Sequence, residues 1–456
     1  MRPMLRRSIL CALIALLLGL AVQAQPPAAD EQDAFLDEVA KRTYSYLASD
    51  WATSHHLPWS WRSETISGGD YVNTTEIALL LLAHLGAYDL QRSWSPDWET
   101  VDAEINAVLD LLLAWQTGSQ ASQPNGPNAH QNSVFYQWYW ISWDPPVVGA
   151  SDGDHLVPSI DNAFLAASLI TLRAYGEAHG HTDIAEKAGE ILSAMDFRLW
   201  YDDQRHMFKL GGSRTPFAGV WADYYSNENR IINFVARALG QLSAEEYQQS
   251  LEALATPAAI YNRANRDASD DIRVEKVAWD GSYFTYMAPG LFIREVDTPY
   301  FENTVIPATA AQIAYAEVQG YAAWGLSDTF DIGDGGYIGQ GAPPTAMVGS
   351  PETRRGVVAP HVSGMALVTP YRAEAILTLQ AIAGLAPEMF HPQYGFYDSV
   401  MADPSSTRYG ERSARFTAIA QGWLFASLVN AEAGTIWEYF YQDSGVQQAH
   451  AEMFGD

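Results

Sequence analysis

Cysteine is almost absent. The sole thiol is Cys11, so no disulfide can form within one chain and the fold must be held by its core. Lysine is nearly as scarce, limited to Lys41, Lys187, Lys209 and Lys276, and acidic residues outnumber basic ones by 54 to 26. The resulting formal charge of −28 repels nucleic acid, anionic lipid and anionic polysaccharide, and points to neutral substrates. Also missing are a His-Glu-x-x-His run for zinc, a Gly-Lys-Ser loop for phosphate and a Gly-x-Ser-x-Gly nucleophile elbow. His55-His56 has no partners at ligand spacing and reads as a loop pair. The glycines of 333–341 lead into no helix bearing Lys or Ser and read as a flexible loop. No metal and no cofactor are expected.

The N-terminus carries the one apolar run that bears on location. Arg2, Arg6 and Arg7 precede Ile9 to Val22, and Val22-Gln23-Ala24 follows with small side chains at the positions signal peptidase needs. This order predicts a secretory signal over residues 1–24, too short for a comfortable span and cleaved after Ala24. An uncleaved anchor is the alternative, against which Pro26-Pro27 argues by breaking the helix. The mature chain is then expected to be periplasmic or extracellular, free of the membrane and without cysteine. Loss of the three arginines takes its charge from −28 to −31.

Apolar residues recur at helical spacing through most of the remainder. The pattern predicts ten helices: Asp33–Leu47, Thr74–Leu90 (capped by Thr74 or Thr75), Val101–Gln116, Ser159–Gly176, Asp183–Met195, Asn227–Leu239, Ala244–Leu254, Thr304–Val318, Tyr371–Ala383 and Arg415–Ala431. Long loops over 117–157, 198–226, 255–302 and 325–366 separate several of them, with short strands expected at Val134–Ser142 and Gly281–Tyr286. Loops of this length either carry function or mark a wrong assignment of elements. No linker composition or fixed-period repeat interrupts residues 25–456. The expected fold is therefore all-α, one (α/α)6 toroid whose long loops gather into a cleft at one rim, with short flexible ends. A bundle or solenoid is the plainer alternative.

What remains as chemistry is carboxylates among aromatics. Glycoside hydrolysis needs one carboxylic acid to protonate the leaving oxygen and one carboxylate to activate water or attack the sugar. Sugar rings present flat C–H faces to Trp and Tyr. Tyr136, Trp138, Tyr139, Trp140 and Trp143 form the densest aromatic cluster, equally readable as core packing. Four acids stand out. Glu228, in Ser226-Asn227-Glu228-Asn229-Arg230, is placed in the first turn of a helix, where the residues alone favour an exposed side chain stabilising the helix dipole over a catalytic acid. Asp161 follows Ser159, a candidate cap, and simple capping serves there too. Asp328 follows a Trp-Gly turn, and Asp398 lies in Gly395-Phe396-Tyr397-Asp398-Ser399. No spacing rule brings the four together in space.

Six phrases in order resemble the glucoamylase-like glycoside hydrolase family, which includes bacterial endo-β-1,2-glucanases and the central domain of cyclic β-1,2-glucan synthases. They are Ser159 to Ala166, Ser226 to Arg230, Trp279-Asp280-Gly281-Ser282-Tyr283-Phe284-Thr285-Tyr286-Met287-Ala288-Pro289, Ala323 to Ser327, Val358 to Ser363 and Tyr394 to Ser399. The resemblance implies an (α/α)6 fold and action on a β-glucan, most specifically endo-acting hydrolysis of β-1,2-glucan. It implies Glu228 as proton donor, although Asn227 replaces the serine of the family phrase. Asp328 stands where synthase-like relatives carry a nucleophilic Glu, and Asp398 matches a candidate base of hydrolytic relatives. Asp161 stands where some glucanases contact substrate with a Glu, Pro158 replaces an Asp, and Thr285 replaces a Glu. Arg230, Tyr283, Tyr286, Trp324, His361, Tyr397, Trp138 and Trp140 are the expected substrate-binding residues. An oligo- or polysaccharide is the expected partner, with no nucleic acid. Transglycosylation and a catalytically silent glucan-binding protein are the alternatives, whereas a polysaccharide lyase is disfavoured by the acidic charge.

Overall fold

The computed structural model describes residues 29–48, 55–118, 130–131, 133–144, 146–149, 156–212, 220–262, 271–348 and 351–455. The expected signal segment 1–24 and Cys11 lie outside the described residues, as do parts of the long loops. The chain divides into two units, residues 1–38 and 39–456, and helix α1 (Ala29–Leu47) crosses the boundary. No helix among the described residues is long and apolar enough to cross a membrane.

The unit 39–456 is rich in helix. Three of its helices are apolar nearly all round over most of their length: α2 (Thr74–Asp89), α4 (Ser159–His179) and α12 (Ala418–Glu432). A helix with so little polar face must be surrounded. Nearly every residue of α2 is indeed buried, and α2 packs between α12 and α4, which in turn touches α6 (Arg230–Ala238). More amphipathic helices cover this set. Helix α5 (Thr182–Ala194) packs on both α4 and α3 (Trp98–Gln116), while α7 (Ala244–Ala253) packs on α6. Close approach of α12 to α2 depends on Gly422, where a Cβ would sit 2.7 Å from the Leu79 side chain.

Strands are two or three residues long and serve the helices. Tyr71–Asn73 pairs with Trp138–Trp140 and leads into α2; Val157–Pro158 pairs with Gly211–Gly212 and leads into α4. Phe416–Thr417 pairs with Trp61–Arg62 and leads into α12. Three helix N-termini are thus each pinned by a short ladder.

Several expectations are corrected. The cap of α2 is Asn73, not Thr74 or Thr75: its side chain accepts from Thr75 N, and Glu76 reaches back to the Asn73 N–H in a capping box. Ser159 caps nothing; its hydroxyl donates to the carbonyls of Lys209 and Leu210. The segment expected as a strand at Gly281–Tyr286 holds a short helix, α8 (Tyr283–Met287), because its aromatics are buried on more than one side. A π-helical turn, Phe301–Val305, precedes α9 (Ile306–Gln319), and the short α10 (Pro360–Met365) precedes α11 (Arg372–Leu385). The C-terminal end is no loose tail. Helices α13 (Thr435–Phe440) and α14 (Ser444–Phe454) follow, and Arg237 of α6 grips Glu452 through two hydrogen bonds of 2.6 and 2.7 Å.

Gly422→Val should force α12 away from α2 and cost about 1–3 kcal/mol of stability. A lowered urea midpoint with an unchanged slope is the expected result.

Candidate active site

The N-terminal ends of α2, α4, α6, α8 and α12 contribute to the wall of one cavity of about 530 Å3. That lies within the range of about 300–1,000 Å3 common to small-ligand sites. Glu228, Asp161, Asp328 and Trp138, which the sequence singles out, all line it, and so do Glu76, Phe330 and Tyr337, which it does not.

Glu228 sits two residues ahead of α6 in a turn, its carbonyl accepting from Ile231 N, rather than inside the first helical turn. Its Oε2 is buried without a hydrogen-bond partner. Burial drives its pKa up to about 7, Asp280 and Asp161 push the same way, and Arg230 opposes them. The uncharged form is favoured because water has been removed and like charges lie close. Asp328 lies in the segment after α9, where the Gln340 N–H donates to its Oδ1 at 2.8 Å. Burial, then the charges of Asp280 and Glu228, raise it to about 8. Asp280 is itself raised by burial. Glu228, Asp280 and Asp328 therefore form one electrostatic group in which ionisation of any member resists ionisation of the others.

A second pair of acids stands on the wall made by α2 and α4. Asp161 accepts a 2.6 Å bond from the Thr75 hydroxyl and is raised by burial. Glu76 takes bonds from the Ser60 hydroxyl and the Asn73 N–H, each at 2.7 Å, yet its burial still brings it to about 8. On the hairpin of Thr329–Phe330 with Tyr337–Ile338, Tyr337 lines the cavity and is 57% exposed. Its phenol is raised by desolvation and then by the charges of Asp328, Asp398, Glu228 and Asp280.

The other expected residues stand behind the wall. Asp398 is one layer back, its Oδ2 taking bonds from the Thr329 hydroxyl (2.7 Å) and Phe330 N (2.6 Å), and its Oδ1 from the Thr417 hydroxyl. It holds two cavity-lining residues, Phe330 and Thr417, in place. His361 is buried beside Asp398 with Nδ1 unpartnered, and desolvation lowers it to about 4, so it stays neutral. Arg230 is fully buried. It pairs with Glu295 at 2.6 and 3.0 Å and donates to the carbonyls of Asn227, Thr285 and Tyr286, so no donor is turned toward the cavity. The Tyr283 hydroxyl bonds Thr309 and that of Tyr286 donates to Thr345 O, both within the core. Trp324 packs edge-on against Tyr283, and Tyr397 donates to Glu64 under the Arg412 guanidinium. Trp140 packs its edge on Tyr71 beside Trp138 but is not part of the cavity wall. In the aromatic cluster Tyr139 stacks on Trp115 at 3.9 Å as core.

Signals for the missed residues were present. Asn73-x-x-Glu76 is a capping-box pattern, and Asp280 sits inside the Trp279-Asp280-Gly281 phrase. Nothing marks Tyr337, which only the pairing of Thr329–Phe330 with Tyr337–Ile338 brings over the acids. Among the described residues, no three His, Cys, Asp or Glu side chains are grouped to hold a metal ion.

Residues 227–444 match the glycoamylase family model, described as "Putative glucoamylase". This part of the chain is glucoamylase-like. A curated relative, the cyclic beta-(1,2)-glucan synthase NdvB of Rhizobium meliloti (strain 1021), is 24% identical over an alignment of 330 positions that covers 65% of this chain and 11% of that relative's length. Among solved structures, a "putative glucoamylase" from Bacteroides caccae ATCC 43185 superposes with a TM-score of 0.75 at 17% identity, covering 93% of this chain and 99% of the other. An endo-beta-1,2-glucanase from Chitinophaga pinensis, in complex with sophorotriose and glucose, has a TM-score of 0.72 at 14% identity over 93% and 98% of the two chains. At these identities the structural likeness is one of fold.

Arg230→Ala should leave the Glu295 carboxylate buried and unpaired and cost about 3–5 kcal/mol. Chemical denaturation of the variant tests this, and a loss below about 1 kcal/mol would contradict the bracing role.

Proposed function

We propose that this chain is a secreted or periplasmic glycoside hydrolase that cleaves a neutral β-glucan internally, with β-1,2-glucan as substrate. Its helices form an (α/α)6 toroid over residues 25–456, behind a signal over 1–24. The observation that carries the reading is Glu228, its Oε2 buried without a partner, lining one cavity with Asp328 and with the aromatic side chains of Trp138 and Tyr337. The likeness to the endo-beta-1,2-glucanase and to the cyclic beta-(1,2)-glucan synthase supports β-1,2 as the linkage.

Glu228 is the general acid and Asp328 the base. The crowded pair retains a proton near neutral pH, and its two macroscopic titrations belong to the pair. The productive form has the proton on Glu228 and the charge on Asp328. Burial raises Asp328 further than Glu228, so this is the less populated of the two singly protonated forms, and the Gln340 N–H that donates to Asp328 Oδ1 is what supports it. Water attacks the anomeric carbon and gives its proton to Asp328. The glycosidic C–O bond breaks, and the leaving oxygen takes the proton of Glu228. An aspartate arm, one methylene shorter than the Glu of retaining relatives, leaves room for that water, so the configuration inverts. Asp161 and Trp138 hold the sugar.

Glu228→Gln should lower kcat by about 10²–10⁴-fold with glucan affinity retained. Reducing-end release from linear glucans measures it, and full turnover in the variant would remove Glu228 from the mechanism. Proton NMR in the first minutes should show the α-anomer from a β-glucan; a β-anomer would mean retention. The acid limb of the pH profile follows protonation of the base, and the alkaline limb follows proton loss from the acid. Both groups are raised, to about 7 and about 8, so hydrolysis should peak near neutrality and not at pH 4–5. Asp280→Asn removes a neighbouring negative charge and should move both limbs to lower pH.

A further inference from the structure

Four aromatic side chains are notably exposed among the described residues: Trp143, Trp279, Tyr337 and Tyr409. Two of them, Trp279 and Tyr337, adjoin the carboxylate group of the cavity. Tyr337 belongs to the cavity wall, whereas Trp279 lies outside it, directly before Asp280.

Trp279 is half exposed, yet its backbone is fixed on both sides. Its N–H donates to Asn227 Oδ1 at 3.0 Å, tying it to the residue before Glu228. Its carbonyl accepts from Met347 N and Val348 N at 3.1 and 3.0 Å. The following turn is locked by backbone contact: Gly281 has φ +71°, and a Cβ there would lie 2.5 Å from the Ala342 carbonyl. The indole leans on Tyr224 with ring centroids 5.5 Å apart, and Met347 beside it is also exposed. A single exposed apolar side chain ordinarily calls for no explanation. Here, however, a large aromatic stands in the open on a fixed backbone, leaning on Tyr224 and in fixed register with the proposed acid, where burial would have been worth more to stability. Such a preorganised face loses little freedom when a flat apolar partner arrives.

We infer that Trp279 is the stacking platform for a sugar unit outside the cavity, adjoining the Glu228 side of the cleavage point. The inference rests on the hydrolase reading above and adds to it where the polymer leaves the cavity. A cavity of about 530 Å3 admits a few sugar units, so a longer chain must continue over its rim. The neutral indole with Tyr224 and Met347 suits the C–H face of an uncharged pyranose. Chain length then becomes a determinant of binding through a residue that touches neither the acid nor the base.

The test uses the whole protein with linear β-1,2-glucan and its shortest cleavable oligomer as probes. Trp279→Ala should raise KM for the long glucan about tenfold with kcat within about twofold, and leave the short oligomer unchanged. Trp279→Phe should recover most of the loss. In a Glu228→Gln background, calorimetry should show the same loss of long-glucan affinity without any turnover. Equal effects on long and short substrates, or no effect in either assay, would overturn the inference while leaving the hydrolase reading intact. Retained turnover in Glu228→Gln alone would instead strike at that reading, with the Trp279 result still legible in the binding arm. A wild-type protein that neither cleaves nor binds the glucan would overturn both.

Discussion

Desolvation of carboxyl groups is the constraint on which the site depends. Glu228, Asp328, Glu76 and Asp161 line a single cavity, and for each of them burial is the largest influence on protonation. Helix N-termini ordinarily favour charged carboxylates. In this protein removal of water outweighs that preference, and acids near the starts of α2, α4 and α6 are all shifted toward the neutral form. A chain with so large an excess of acid thus keeps some of its carboxyls uncharged where a neutral ligand would be met.

The helices make this possible by being apolar nearly all round. Since α2, α4 and α12 are surrounded at their N-terminal ends, the acids in the first turns of α2 and α4, Glu76 and Asp161, are drawn away from solvent. The short strand pairs then fix the direction in which each end points. Arg230 and Glu295 perform the corresponding service for α6. Their mutual pairing and the carbonyls around the guanidinium anchor the turn that carries Glu228 to α8 and the segment following it. Asp398 acts in the same manner on the other wall, gathering Thr329, Phe330 and Thr417 around one carboxylate.

This division between wall and support explains why residues that look alike in sequence diverge in role. Arg230 and Glu228 are two positions apart, but one is saturated by protein partners and the other keeps an oxygen free. Asp328 and Asp398 both follow aromatic-glycine turns. Asp328 receives one backbone donor and remains on the cavity, whereas Asp398 has bonds to both oxygens and lies behind it. Trp279 and Tyr283 belong to one phrase, yet the first is open to solvent and the second is core.

The sequence by itself determined the helical periodicity, the scarcity of chemistries other than carboxylate chemistry, and three of the four acids that line the cavity wall. Helical period and missing motifs are local properties, and the family phrases carry the positions of Glu228, Asp161 and Asp328. Only the tertiary structure decided which acids are neighbours and which are saturated. Thr75 and Asp161 meet across 86 positions, Arg230 and Glu295 across 65, and Thr329 and Asp398 across 69. Glu76 and Asp280 entered the site, Arg230 and Asp398 moved behind it, and the expected strand at Gly281–Tyr286 folded as helix. Burial and hydrogen-bond saturation are set by groups far apart in the chain, so no window of sequence contains them.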